Sequence, residues 1–267
     1  MKLALSGFAI DDSNEKEVFS LLNKYNITNI EGVLNKIYPW NLMNYSVVED
    51  YKKKLEDNGL VCESLQSLLF GCNINSLNER DRARDHLERV ISYARTLGVK
   101  ILVLGSSILR KEYNFRSLAD LIWDLDCRLK EADMTLCIEP TAKYYGSEYW
   151  HSTDEIIEFL NKIRIRKNVC TMIDLHNIIT EQKHNNNIVS VQLNNNIDWI
   201  EHIHISDLYV ESNNYNFMHE EFGGTLHKLN YNGIVTYETS STKNLEAKLE
   251  LFTNYYHSAF QTDSYQR

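Results

Sequence analysis

Four residues in the second half of the chain, Glu139, Asp174, His204 and Glu238, have the types and spacing of a metal centre. Each lies at or near the end of a short apolar run. The runs are Met134-Thr-Leu-Cys-Ile-Glu139, which Pro140 stops, Asn168-Val-Cys-Thr-Met-Ile-Asp174, Trp199-Ile-Glu-His-Ile-His-Ile-Ser206 and Gly233-Ile-Val-Thr-Tyr-Glu238. Three carboxylates and one imidazole suit one divalent ion such as Mn²⁺, Mg²⁺ or Co²⁺ better than they suit a thiolate-held structural zinc. Such a set leaves room for substrate oxygens, so the chemistry it points to is catalytic. Taken singly, a carboxylate at a strand end is more often a helix cap or a salt-bridge partner. Four in succession are harder to assign to those roles.

The elements that must position them follow from the separations of 35, 30 and 34 residues, each with room for a strand, a helix and two loops. That repeat builds a parallel sheet, and adjacent parallel strands bring all four side chains to one end of it. The chain has 267 residues, close to the usual size of a (β/α)8 TIM barrel, and no Gly/Ser/Pro-rich linker divides it. One barrel domain over 1–267 is the expectation. In such barrels active sites sit at the C-terminal strand ends.

Hydrophobic periodicity predicts strands over 2–8, 26–32, 60–66, 100–105, 134–139, 168–174, 200–206 and 233–238. Helices are predicted over 14–25, 46–58, 78–97, 115–130, 152–163 and 245–256, with a weak one in the Asn-rich stretch 184–196 and another starting near His219-Glu220-Glu221. Gly98 reads as a helix stop, and Ser152-Thr-Asp-Glu155 as a capping box.

A formal charge of -9 and the lack of a basic run argue against nucleic-acid binding, which depends on Lys and Arg neutralising phosphates. The N-terminal apolar run is short and meets Asp11-Asp12 without a cleavage pattern, so it reads as a first strand rather than a leader. No stretch is long and apolar enough to span a membrane. The five cysteines lack C-x-x-C spacing and mostly lie in apolar runs, which predicts buried reduced thiols in a cytoplasmic protein. A homo-oligomer is compatible with all of this.

The chain resembles the xylose-isomerase-like TIM-barrel superfamily, which includes ketose 3-epimerases, hydroxypyruvate isomerases, inosose dehydratases and zinc endonucleases. The resemblance is carried by Ala94-Arg-Thr-Leu-Gly-Val-Lys-Ile-Leu-Val103, Ile138-Glu-Pro140, Met172-Ile-Asp174, His202-Ile-His-Ile-Ser-Asp207 and Tyr231-Asn-Gly-Ile-Val-Thr-Tyr-Glu238. It implies that Glu139, Asp174, His204 and Glu238 hold one divalent ion and that the two glutamates form an acid/base pair. His202 and His204 are expected to point to opposite faces of their strand, leaving one ligand, and the family register selects His204.

The chain also departs from the family. Many relatives carry Asp-x-x-His after strand six, whereas here the run is Asp174-Leu-His-Asn177, with the histidine one residue early. The endonuclease branch uses early histidines for three zinc ions, yet none precedes His86, which makes a trinuclear site a poor expectation. Val210 stands where the ketose epimerases carry an arginine. Candidate substrate contacts are Arg110, which can bind an anion through its planar fork, Lys143 and Tyr145 after strand five, His219, and Glu31 and Gln66 at the ends of strands two and three. Loop or packing roles are the plain alternative for each.

The expected activity is proton transfer next to the carbonyl of a sugar or sugar derivative, with an ion stabilising the enediolate and glutamates moving the proton. Epimerisation and aldose–ketose isomerisation both fit. A metal-dependent dehydratase of an inosose-like polyol and a noncatalytic barrel are the alternatives.

Overall fold

Short runs rich in Val, Ile and Leu become the staves of a closed barrel. The structure, a computed structural model, describes residues 1–165, 168–182, 187–206, 208 and 213–257. In chain order its elements are β1 (Lys2–Ser6), α1 (Glu15–Lys24), β2 (Asn29–Gly32), α2 (Leu34–Ile37), α3 (Tyr45–Asp57), β3 (Val61–Leu65), α4 (Leu77–Leu97), β4 (Ile101–Leu104) and α5 (Phe115–Ala132). They continue with β5 (Thr135–Ile138), α6 (Thr153–Ile163), β6 (Val169–Asp174), α7 (Leu175–Gln182), α8 (Asn187–Asn196), β7 (Ile200–Ile205), α9 (Asn213–Lys228), β8 (Ile234–Tyr237) and α10 (Leu245–Tyr256). Each strand pairs in parallel with the next, and β8 returns to β1, so this is a (β/α)8 TIM barrel.

Strands covered on both faces read as continuous apolar runs, and the four residues of β4, Ile-Leu-Val-Leu, are all buried. The helices cover the outer face with one apolar stripe each, as α5 does with Leu118, Leu121, Ile122, Leu125 and Leu129. Helix α4 stops at Gly98, whose φ of +87° is the left-handed conformation that glycine adopts without steric cost. Inside the barrel, Ala4, Ile101, Val103, Cys137, Cys170, Met172 and Ile234 form an apolar plug, and polar residues follow them toward the C-terminal strand ends.

Three expectations shift. Strand β2 begins at Asn29 instead of 26, since Asn26 turns the chain with φ of 54°. The β6–β7 connection holds two helices where one weak helix is predicted. Asp174 starts the first, α7, by accepting the Asn177 N–H at 2.7 Å, as an N-cap does. Helix α9 begins at Asn213, well before the predicted start. Among the cysteines, Cys62, Cys137 and Cys170 are buried free thiols, but Cys127 is exposed because it lies on the outer side of α5. No helix among the described residues is long and apolar enough to cross a membrane.

At the start of α6, the Ser152 side chain accepts the Glu155 N–H at 3.3 Å, while Glu155 reaches back to the N–H of His151 rather than that of Ser152. The capping box is thus displaced by one residue on its return arm. Ser152→Ala is expected to lower stability by about 1 kcal/mol in urea unfolding. An unchanged midpoint would mean that Glu155 alone satisfies this helix end.

Candidate metal centre

The strand ends hold their functional groups by backbone as well as by sequence position. Glu139 follows β5 and Glu238 follows β8, yet both stay in the ladder, their N–H groups donating to Leu104 O at 3.1 Å and Ile205 O at 2.7 Å. Asp174 and His204 are register partners across β6 and β7. One ligand atom from each of Glu139, Asp174, His204 and Glu238 lies within 4.8 Å of all the others. His204 Nδ1 is 3.5 Å from Glu139 Oε1 and 3.5 Å from Glu238 Oε2. It is buried without a hydrogen-bond partner.

Beneath this group lies a polar layer organised by Glu31. Its Oε1 accepts from His204 Nε2 at 2.8 Å. Its Oε2 takes bonds from Ser64 Oγ at 3.0 Å, Thr236 Oγ1 at 2.8 Å and His202 Nε2 at 2.5 Å. Glu31 is fully buried, as is His202. The expectation that His202 and His204 point to opposite faces is corrected here, because both reach Glu31 inside the barrel. Residues two apart on a strand share a face. The expectation of one ligand between the two histidines does not follow from the pleat, and Glu31, His202 and His204 form a second cluster of ligand-type atoms.

The electrostatics of the upper group call for a cation. Burial, together with the charges of Glu139 and Glu238, pushes the Asp174 carboxyl well above the usual carboxylate range. Burial opposes ionisation of Glu139 too, but His204 and the Arg110 charge outweigh it and hold that carboxyl below its ordinary value. Burial works against a charged His204, yet Glu31 and then Glu238 raise its pKa well above normal. Three carboxylates around an unpartnered imidazole nitrogen, with the other nitrogen held by a carboxylate, fit a divalent ion. The Glu31–His204 bond is of the kind that orients a histidine when it binds a metal.

The other predicted contacts fall into two groups. Lys143 and Tyr145 lie in the loop after β5. There Lys143 Nζ is 3.6 Å from Glu181 Oε1, and the Tyr145 hydroxyl bonds His176 Nε2 at 2.7 Å. Asn177, standing where relatives have histidine, accepts the Ala142 N–H at 3.0 Å. By contrast, Arg110 is buried, its guanidinium donating to Thr141 Oγ1 at 2.7 Å and Leu104 O at 3.0 Å. Burial lowers its pKa to about 10, although Glu139 pulls the other way. Gln66 is also buried and donates to Ser6 Oγ at 2.7 Å. His219 sits within α9 and bonds the Tyr256 hydroxyl of α10 at 2.7 Å. Val210 and Asp207 lie outside the described residues. Gly105 completes the surroundings of Glu139, since an added Cβ there would stand 1.6 Å from Glu139 Oε2. Its place directly after the β4 strand is the signal for this in the sequence.

A carboxylate that relies on buried imidazoles makes stability depend on pH. Glu31 is held well below its unperturbed 4.5, with burial opposing and the charges of His204 and His202 prevailing. Its contribution is therefore present above about pH 4.5 and is lost as the pH falls through the lower folded value. The raised His204 adds stability that is full below about pH 6.5 and fades as the pH rises through its folded value. In metal-free protein, Glu31→Gln is expected to cost about 3 kcal/mol near pH 6 in urea unfolding, with the deficit shrinking in acid. A deficit independent of pH would show that Glu31 acts by packing alone.

A family model described as xylose isomerase-like TIM barrel matches residues 19–255. No curated protein matches the sequence. Among solved structures, a 3-keto-D-glucoside 4-epimerase from E. coli is similar with a TM-score of 0.75 and 16% identity, over 96% of this chain and 98% of that one. A D-psicose 3-epimerase has a TM-score of 0.68 at 16% identity, over 93% of this chain and 90% of that one. A sugar phosphate isomerase/epimerase from Parabacteroides distasonis has a TM-score of 0.69 at 14% identity, over 96% of this chain and 94% of that one. At these identities the likeness is one of fold, and together with the family match it places the chain in the xylose isomerase-like TIM-barrel family.

Proposed function

We propose that the protein is a divalent-metal-dependent epimerase or isomerase of a sugar or sugar derivative. The observation that carries this reading is the buried, unpartnered His204 Nδ1, 3.5 Å from both Glu139 and Glu238, with Asp174 alongside. The similarity to solved sugar epimerases supports it. When bound there, an ion supplies positive charge against the negative charge that develops on a carbonyl oxygen.

The chain's own groups do the rest. Glu139, with a side chain 14% exposed and held as a carboxylate by its neighbours, is suited to remove a proton from the carbon next to the carbonyl. Glu238, 30% exposed and next to β1 on the closing strand, can return a proton from a second direction. Return on the opposite face of the same carbon inverts that centre, while return to the neighbouring carbon moves the carbonyl. Asp174 and His204 hold the site, and Glu31 keeps His204 oriented from below. Metal-binding histidine must be neutral, and His204 otherwise keeps a proton, so ion and proton compete.

The purified protein is expected to retain about one Mn²⁺ per chain, with affinity falling as the pH is lowered. His204→Ala and Asp174→Ala should lower metal content with the fold retained by circular dichroism. Parental metal content in both variants would place the ion elsewhere.

For the chemistry, incubation with a keto-sugar substrate in D₂O should place deuterium on a carbon next to the carbonyl. Glu139→Gln and Glu238→Gln should each reduce turnover by roughly 10²-fold or more, the loss of a general base. Conversion without deuterium entry, at near-parental rates in both variants, would rule out the two glutamates as proton carriers.

A further inference from the structure

Beside the metal centre the mouth opens into a cleft of about 380 Å³ between the loop after β3 and the loop after β4. Its size falls within the range of small-molecule sites. Among its lining residues Leu68, Leu69, Leu104 and Leu109 are buried, whereas Phe70 and Ile108 remain 62% and 78% exposed. The rest of the lining includes the uncharged polar Ser67, Asn73 and Ser106. Two large apolar side chains left in water at such a cleft gain free energy when a ligand covers them.

Gly105 joins the cleft to the proposed metal site. It lines the cleft, and a side chain on it would begin 1.6 Å from Glu139 Oε2. No side chain at this position separates the cleft from that carboxylate. A molecule whose reacting carbon is held beside Glu139 can therefore extend over Gly105 into the cleft.

The lining contains no Lys, Arg, His, Asp or Glu. Both cations of the β4 loop are engaged elsewhere. Arg110 turns inward to Thr141 and the Leu104 carbonyl, and Lys111 bonds Gly146 O at 2.6 Å and pairs with Glu148 at 3.2 Å. The N-terminus of α4, which follows the β3 loop, already has Glu79 against Ser76. A phosphate placed in the cleft would lose hydration without meeting a counter-charge.

From this we infer that the substrate is an uncharged keto sugar derivative bearing an apolar alkyl or aryl group, its carbonyl end at the metal centre and the apolar group in the cleft over Gly105. The inference rests on the epimerase reading for the carbonyl end and adds the chemistry of the far end.

The test uses the full chain, loaded with Mn²⁺ and metal-free, and 4-fluorophenyl β-D-glucopyranoside as the probe, which lacks the carbonyl and so reports binding without turnover. Methyl β-D-glucopyranoside and glucose 6-phosphate serve as comparators, with binding followed by calorimetry and fluorine NMR. The aryl glucoside should bind roughly tenfold more tightly than the methyl glucoside, and glucose 6-phosphate more weakly than either. Ile108→Asp and Phe70→Asp, both at exposed positions, should each remove that preference without changing retained Mn²⁺. Undetectable aryl glucoside binding, equal affinity for the two glucosides, a preference indifferent to both substitutions, or tighter binding of the phosphate would each overturn the proposal. Failure of the epimerase reading looks different: no Mn²⁺ is retained, while the aryl preference and its dependence on Ile108 and Phe70 persist in the metal-free chain.

Discussion

A carboxylate without solvent contact at the centre of a barrel is tolerated only when its charge is fully met, and Glu31 meets this condition with four donors from three other strands. Ser64 comes from β3, His202 and His204 from β7, and Thr236 from β8, so one side chain on β2 ties the barrel across its interior. The same contact decides which imidazole nitrogen faces the mouth. With Nε2 of His204 committed to Glu31, Nδ1 is turned toward Glu139, Asp174 and Glu238. The upper group owes its geometry to a bond it does not contain.

The strand ends were legible because a parallel barrel needs near-continuous apolar runs, and the chain marks each run with a polar or turn residue at its close. The spacing of Glu139, Asp174, His204 and Glu238 carried the same information, and these four do come together. Depth along the barrel axis was much less legible. Glu31 and Gln66 sit near strand ends like the others, yet Glu31 meets His204 from the Nε2 side, away from the Glu139–Asp174–Glu238 group, and Gln66 is turned to Ser6, since the shear of a barrel sets neighbouring strands at different heights. Arg110 shows a related limit: a loop arginine reads as exposed until the Thr141 and Leu104 acceptors that receive it are seen. The two histidines of β7 needed only the two-residue period of the strand, applied correctly.

Charge is distributed by layer as well as by sum. The lower interior is apolar, the middle layer pairs one carboxylate with two imidazoles, and the upper layer has a surplus of carboxylates. A chain with a formal charge of -9 thus places part of its excess where a cation can answer it. Beside that acidic layer, the uncharged cleft over Gly105 gives the mouth two regions of different chemistry.

The dual position of Asp174, at once in the acidic group and at the cap of α7, reaches further than the site. From α7, Asn177 holds the Ala142 N–H, Glu181 holds the Lys143 N–H at 2.7 Å, and His176 holds the Tyr145 hydroxyl. Three successive side-chain contacts thus fasten the loop after β5 to the helix after β6. The two segments form one interlocking module, although α6 and β6 separate them in sequence. Transplanting the β5 loop from a relative to change what the barrel accepts would have to keep the backbone path that brings two N–H groups to Asn177 and Glu181, and a hydroxyl for His176, unless that helix moved with it. For this fold, the unit of loop exchange at the mouth is two connections wide.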